Sequence, residues 1–87
     1  MNDIDFNNVF AALDLGSNSF HLVIARHEPG GSWVVLDRLR EMVRLADGLD
    51  EHKNLAPEAR QRALDCLARM GERLRPIPAR NLRIVGT

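Results

Sequence analysis

A single cysteine, no excess of either charge and no long apolar run: these absences narrow the reading of this sequence before any motif does. Cys66 has no partner for an internal disulfide, and no positively charged start followed by an apolar run opens the chain, so a reducing, cytoplasmic setting is expected. Twelve basic residues balance twelve acidic ones. No overall positive field therefore exists to hold nucleic acid or an anionic membrane, and any anion must be bound by a local set of donors. No uninterrupted apolar stretch approaches the roughly 20 residues that cross a bilayer, so no transmembrane segment is expected. No Cys or His stands at ligand spacing, which argues against a zinc site. Internal repeats and low-complexity segments are also missing. At 87 residues the chain is one domain at most. Folding hides only roughly 60 to 65% of the surface such a chain exposes when unfolded, enough for a core but not for a large cleft.

What is present is an ordered series of patterns. Residues 1 to 8 are polar and read as a flexible leader, with the folded part running from 9 to 87. Val9 to Leu15 is a short, almost continuous apolar run, the kind of strand buried on both faces of a sheet. Ser19 to Glu28 reads as a second strand, with Phe20, Leu22 and Ile24 on one face and His21, Val23 and Ala25 on the other. Only Gly16 to Asn18 connects the two, so they should pair as an antiparallel hairpin. Pro29, Gly30 and Gly31 supply the next turn, Pro with a fixed φ and the glycines free to take positive φ. The stretch from Ser32 to Leu45 reads as a third, increasingly charged strand, with Trp33, Val35 and Leu39 on one face against Val34 and Leu36. The spacing then predicts a loop through Gly48 and Asn54, and a helix over 57 to 74. Pro57 stands at its first position, Glu58 lies near the positive end of the dipole, and Ala56 is a weak N-cap. Ala59, Ala63, Cys66, Leu67, Met70 and Leu74 make the apolar stripe, and the helix charges read as a solvated face. Pro76 and Pro78 stop the helix, and residues 82 to 86 read as a fourth strand beside and parallel to the first, reached by a right-handed crossover.

One carboxylate, Asp14, stands in the apolar first strand, directly before the donor-rich Gly16, Ser17, Asn18 and Ser19. The string "AALDLGSNSFHLVIAR" resembles the first phosphate loop of the actin, sugar kinase and Hsp70 superfamily. "DLGSNSFHLV" in particular is similar to the exopolyphosphatase and guanosine pentaphosphate phosphohydrolase family. The likeness continues in "VRLADGLDEHKNLAPEARQRALDCLARMGERL" and "RIVGT", in that family's order and spacing, and covers almost the whole chain after residue 9. The fold it implies is α/β, a partial ribonuclease H-like (actin-like ATPase) subdomain of order β-β-β-α-β, with an antiparallel three-stranded meander, one helix and a parallel fourth strand.

The resemblance also implies roles. Gly16 lets a phosphate approach the backbone without meeting a Cβ. Successive N–H groups with the side chains of Ser17, Asn18 and Ser19 would form a concave donor set for phosphate oxygens. Asp14 would hold a divalent cation, Mg²⁺, which favours carboxylate, water and phosphate oxygens together. The carboxylate that activates the attacking water is expected beyond the equivalent of Thr87, so no catalytic residue is assigned in residues 1 to 87. On this reading the chain is an N-terminal portion of a homodimeric hydrolase and inactive alone. Its substrate would be inorganic polyphosphate or guanosine pentaphosphate, with "IVGT" leaning toward the first and "VRLADGL" compatible with both.

Plainer readings stand beside these. Asp14 could simply accept hydrogen bonds in a tight hairpin, and the Gly16 to Ser19 residues are also ordinary turn formers. His21, in an apolar strand, reads as a satisfied core histidine, His27 and His52 as solvated, and Cys66 as a small core residue. Arg38, Arg40 and Arg44 read as a charged strand edge that discourages aggregation rather than as a polyanion path. Two further function classes remain: an actin-like or sugar-kinase-type ATP-binding domain, whose loops often carry Thr or Lys donors, and a non-catalytic module pairing through a free sheet edge.

Overall fold

A computed structural model describes residues 5 to 86. Four strands form one sheet: β1 (Val9–Leu15), β2 (Ser19–His27), β3 (Trp33–Met42) and β4 (Leu82–Gly86), in the spatial order β3-β2-β1-β4. β1 and β2 pair antiparallel, as do β2 and β3, while β4 lies parallel to β1. A single helix, α1 (Pro57–Leu74), has the limits its apolar period predicts. The expected β-β-β-α-β architecture is therefore the one observed.

Period-2 alternation decides which side of the sheet meets the helix. Val9, Ala11 and Leu13 of β1 and Phe20, Leu22 and Ile24 of β2 are buried together with Val43, Cys66, Met70 and Ile77. Each large apolar group among them adds about 1.5 to 3 kcal/mol by leaving water. The opposite face of β1 is open within this structure: Phe10, Ala12 and Asp14 are exposed. This differs from the expectation of a strand covered on both faces, because the only helix among the described residues lies on one side.

β3 differs as well. A bulge shifts the register between Ile24 and Ala25, whose partners are Asp37 and Val35. Leu36 is thus the extra residue, and from there on the alternation reverses. Leu39 consequently pairs with Leu22 on the helix side, not with Trp33 and Val35 on the open side. The strand ends at Met42, short of the expected Leu45, since Arg44 turns into the left-handed region at φ 52°. Arg38 and Arg40 do lie on this edge strand and Arg44 just beyond it, all exposed.

α1 is less detached from the sheet than a solvated charged face would be. Arg69 pairs with Glu41 and Arg73 with Asp37, both on β3. At the other side of the sheet, buried Asn81 donates from Nδ2 to the carbonyls of Asn7 and Val9 at 3.0 Å. Phe6–Asn8 forms a short 3-10 turn capped by Asp5, and Phe6 packs on the core. Asn7 is therefore tied to Arg80 and Asn81, just before β4, and Phe6 to the core, where a flexible leader is expected; Met1 to Ile4 lie outside the described residues. No helix among the described residues is long and apolar enough to cross a membrane.

Candidate functional site

Two antiparallel steps make β3 run the same way as β1, and β4 is parallel to β1. The carboxyl ends of three strands thus meet at one edge, the place where open α/β sheets present their ligand sites. The Gly16 to Asn18 turn, the segment after Met42 and Gly86 lie there.

The turn is held in an unusual way. Gly16 N–H donates to Ser19 O at 3.0 Å, closing the reversal. A Cβ on residue 16 would stand 2.8 Å from that same oxygen, so glycine is required by the closeness of the backbone rather than by a positive φ. The Ser17 and Asn18 carbonyls are taken from outside the hairpin. Val43 and Arg44 N–H groups donate to Asn18 O at 2.8 and 2.9 Å, and Leu45 and Ala46 N–H groups to Ser17 O at 2.9 and 3.3 Å. Four consecutive amides thus engage two carbonyls. The Ser17 and Asn18 amides, and both side chains, have no hydrogen-bond partner among the described residues, and both residues are exposed. The turn presents unspent donors at Ser17 and Asn18 while the carbonyls of those two residues are engaged, an arrangement suited to holding an anion.

Asp14 ends the open face of β1 beside this turn. Its carboxylate is exposed and accepts no hydrogen bond among the described residues, which disfavours the hairpin-brace reading. It pairs across the strands with His21, and His21 with Arg40, so an acid, an imidazole and a guanidinium stand in adjacent register on one face. His21 is exposed, not a core histidine: the odd positions of β2 point away from the helix. Its Nε2 lies 3.2 Å from Ser19 Oγ. On the helix side the turn borders a different surface, an open hollow of about 420 Å³ lined chiefly by Leu15, Phe20, Leu45, Leu49 and Leu55. Gly16, Ser17 and Gly86 also line this hollow, while Asp14 stands on the opposite face of β1.

His27 and His52 are exposed as expected, His27 against the Trp33 ring at 4.7 Å. Cys66 is buried, and burial first, then the Glu41 carboxylate, pushes its thiol up to about 12. It is inert as a nucleophile at neutral pH. No cluster of three or more His, Cys, Asp or Glu residues able to cage a metal occurs among the described residues. Sequence reasoning missed the 43 to 46 segment, because its contribution is made by backbone amides that no side-chain pattern advertises.

The Ppx/GppA phosphatase family model matches residues 23–87. The chain belongs to the Ppx/GppA phosphatase family. Relatives named guanosine-5'-triphosphate,3'-diphosphate pyrophosphatase, from Vibrio parahaemolyticus and Vibrio cholerae, are 53% identical over 79 residues, 91% of this chain. A match of that length necessarily takes in the turn. This chain spans 16% of the length of those relatives. The fold is that of the Aquifex aeolicus Ppx/GppA phosphatase, with TM-score 0.76 and 18% identity over 90% of this chain and 26% of that one. An exopolyphosphatase from Cytophaga hutchinsonii aligns over 90% of this chain and 24% of its own, with TM-score 0.72 and 24% identity. Ppx/GppA membership leaves the ATP-binding-domain and interaction-module readings without support.

Proposed function

We propose that this segment forms the first phosphate-holding element in the active site of a phosphoanhydride hydrolase. The observation that carries the reading is the Asp14 to Ser19 turn, whose carbonyls are engaged by the 43 to 46 amides while the Ser17 and Asn18 donors stay free. Such donors, fixed before the substrate arrives, stabilise charge growing on a transferring phosphoryl group without having to reorganise. Gly16 keeps the turn tight, Ser17 and Asn18 donate to terminal phosphate oxygens, and Ser19 adds its hydroxyl.

Asp14 fits a divalent cation in a limited way. A single exposed, unengaged carboxylate cannot cage an ion, but Mg²⁺ keeps several waters and is commonly shared between one or two carboxylates and substrate phosphates. Asp14 would hold hydrated Mg²⁺ on the donor side of the turn. When bound, the ion would offset negative charge on the phosphate chain. The water-activating carboxylate comes from outside this segment, so the segment by itself binds without turning over.

Guanosine pentaphosphate is supported as substrate by the 53% identical relatives, named for that nucleotide. Inorganic polyphosphate is supported by the string "IVGT" at residues 84 to 87. Both are chains of phosphoanhydrides ending in a free phosphate, and the turn as built recognises that shared end. Phosphate release should be measured with each substrate at matched phosphate-end concentrations, using an enzyme of the relatives' length carrying this segment. The expected result is turnover of at least one, lost with Asn18→Ala. Normal turnover in Asn18→Ala, with either substrate, would overturn the reading.

A further inference from the structure

Two of the four peptide units whose amides engage the turn are themselves held by one side chain. Arg62, on α1, donates from Nε to Val43 O at 3.1 Å and from Nη2 to Arg44 O at 3.2 Å. The amides of those same two residues donate to Asn18 O. The peptide unit that carries Val43 O also carries Arg44 N–H, which donates to Asn18 O, and the unit that carries Arg44 O carries Leu45 N–H, which donates to Ser17 O, so two peptide links run from the guanidinium to the two carbonyls of the turn. The rigid planar guanidinium presents its two donors at a fixed spacing, so less freedom is lost in engaging two successive carbonyls than with a flexible ammonium.

Geometry shows why the segment needs such a hold. Val43 is fully buried, yet Arg44 beside it adopts φ 52°, a conformation that costs a non-glycine residue roughly 1 kcal/mol or more. A second fixing point lies just downstream, where a Cβ on Gly48 would stand 2.4 Å from Ala59 Cβ, so the loop sits directly on the first turn of α1. Ala56 N–H also donates to Gly48 O at 2.7 Å. Arg62 and Gly48 bracket the left-handed residue and hold the amides of residues 43 to 46 in line.

We infer that Arg62 is a positioning residue for the phosphate turn: its guanidinium fixes the 43 to 46 amides, and these in turn aim the free donors of Ser17 and Asn18 at the transferring phosphate. The inference rests on the reading of the turn as a phosphate site. Arg62 touches no substrate in this scheme. Its effect should appear in kcat more than in KM, because misaimed donors stabilise the transition state less while a ground-state phosphate can still be met loosely.

The experiment compares Arg62→Lys, Asn18→Ala and Leu67→Ala in a full-length enzyme carrying this segment, with kcat, KM and thermal midpoint measured for each. Lysine keeps the charge and most of the stem but loses the fork. Leu67 lies on the same helix against the core, away from the turn, and its truncation reports what loss of stability alone does. The expected result is a kcat lower by roughly 10- to 100-fold in Arg62→Lys, the scale of a small misplacement of reacting groups, with KM within about 3-fold. Leu67→Ala should keep its kcat despite a lower midpoint. An unchanged kcat in Arg62→Lys while Asn18→Ala is crippled would overturn the role of Arg62 and leave the phosphate turn standing. An unchanged kcat in Asn18→Ala would overturn both. A kcat that falls in Leu67→Ala as far as in Arg62→Lys would show that stability alone is being read, and would also overturn the inference.

Discussion

Two turns reverse the chain in this sheet, and they solve the same problem differently. The β2-β3 turn is self-sufficient: Glu28 N–H donates to Ser32 O at 2.8 Å, Gly31 N–H to Glu28 O at 3.1 Å, and Gly30 and Gly31 take φ of 106° and 95°. Pro29 and the two glycines suffice to form it. The β1-β2 turn has no positive φ and depends on residues more than twenty positions away for its carbonyls. A turn that only reverses the chain completes its own hydrogen bonds. The other takes help from elsewhere for the carbonyls of Ser17 and Asn18 and leaves the amides of those residues without a partner among the described residues, the observation on which the proposed phosphate site rests.

The largest effect should come from removing what distinguishes the functional turn. Asp14→Asn and Asn18→Ala in a full-length enzyme should each cost roughly 10- to 1000-fold in phosphate release, as loss of one oxyanion donor does elsewhere. Thermal unfolding should be nearly unchanged, since both side chains are exposed and without partners among the described residues. Asp14→Asn should also shift a Mg²⁺ titration to higher concentration. Ser32→Ala in the other turn should leave turnover alone. Equal effects at the two turns would erase the comparison.

Glycine replacement sharpens it. Gly16→Ala puts a methyl group 2.8 Å from Ser19 O and forces the turn open, costing about 1 to 3 kcal/mol together with activity. Gly30→Ala meets nothing within 4 Å and fails for another reason, its φ of 106°. It should cost about 1 to 2 kcal/mol of stability with no loss of rate. Denaturant midpoints and turnover measured together separate the two cases.

The edge on which the 43 to 46 amides rest carries a pH dependence. The Cys66 thiol, burial opposing, and the Arg69 guanidinium set Glu41 below its ordinary 4.5. A lowered carboxyl stabilises the fold above its unfolded value and loses that contribution as pH falls through the folded one. The effect is small, because a third of this side chain is solvated. Cys66 has the opposite sign. Its thiol is raised from 9.0 to about 12, so stability should decline as pH rises through that interval. Thermal midpoints from pH 8 to 11 should fall in the parent, and the thiol-dependent part of that fall should be missing in Cys66→Ala.

His21→Gln should do least. A core histidine would lose a few kcal/mol on replacement, but this one is exposed, and the amide of glutamine can meet Ser19 Oγ much as Nε2 does. The thermal midpoint should move by less than the equivalent of about 1 kcal/mol. A larger shift would return His21 to a structural role.

The sequence by itself determined the elements and their order. A nearly continuous apolar run set β1, apolar alternation set β2, proline and glycine set the 29 to 31 turn, and Pro57 with the three-and-four spacing from Ala59 to Leu74 set α1 to the residue. It also singled out Asp14 and residues 16 to 19, through a string whose resemblance to a phosphatase family holds. These are local properties, encoded in periodicity and in the φ that each residue tolerates. Tertiary structure decided the rest. The bulge at Leu36 that turns Leu39 toward the helix, the exposure of His21, and the pairing of Arg69 and Arg73 with β3 all depend on which elements meet. Above all, the Ser17 and Asn18 carbonyls are taken by the amides of residues 43 to 46 while the amides of Ser17 and Asn18 have no partner among the described residues, and Arg62 grips two of the intervening peptides from another element. Backbone hydrogen bonds between distant segments carry no side-chain signature, so only the folded chain could reveal them.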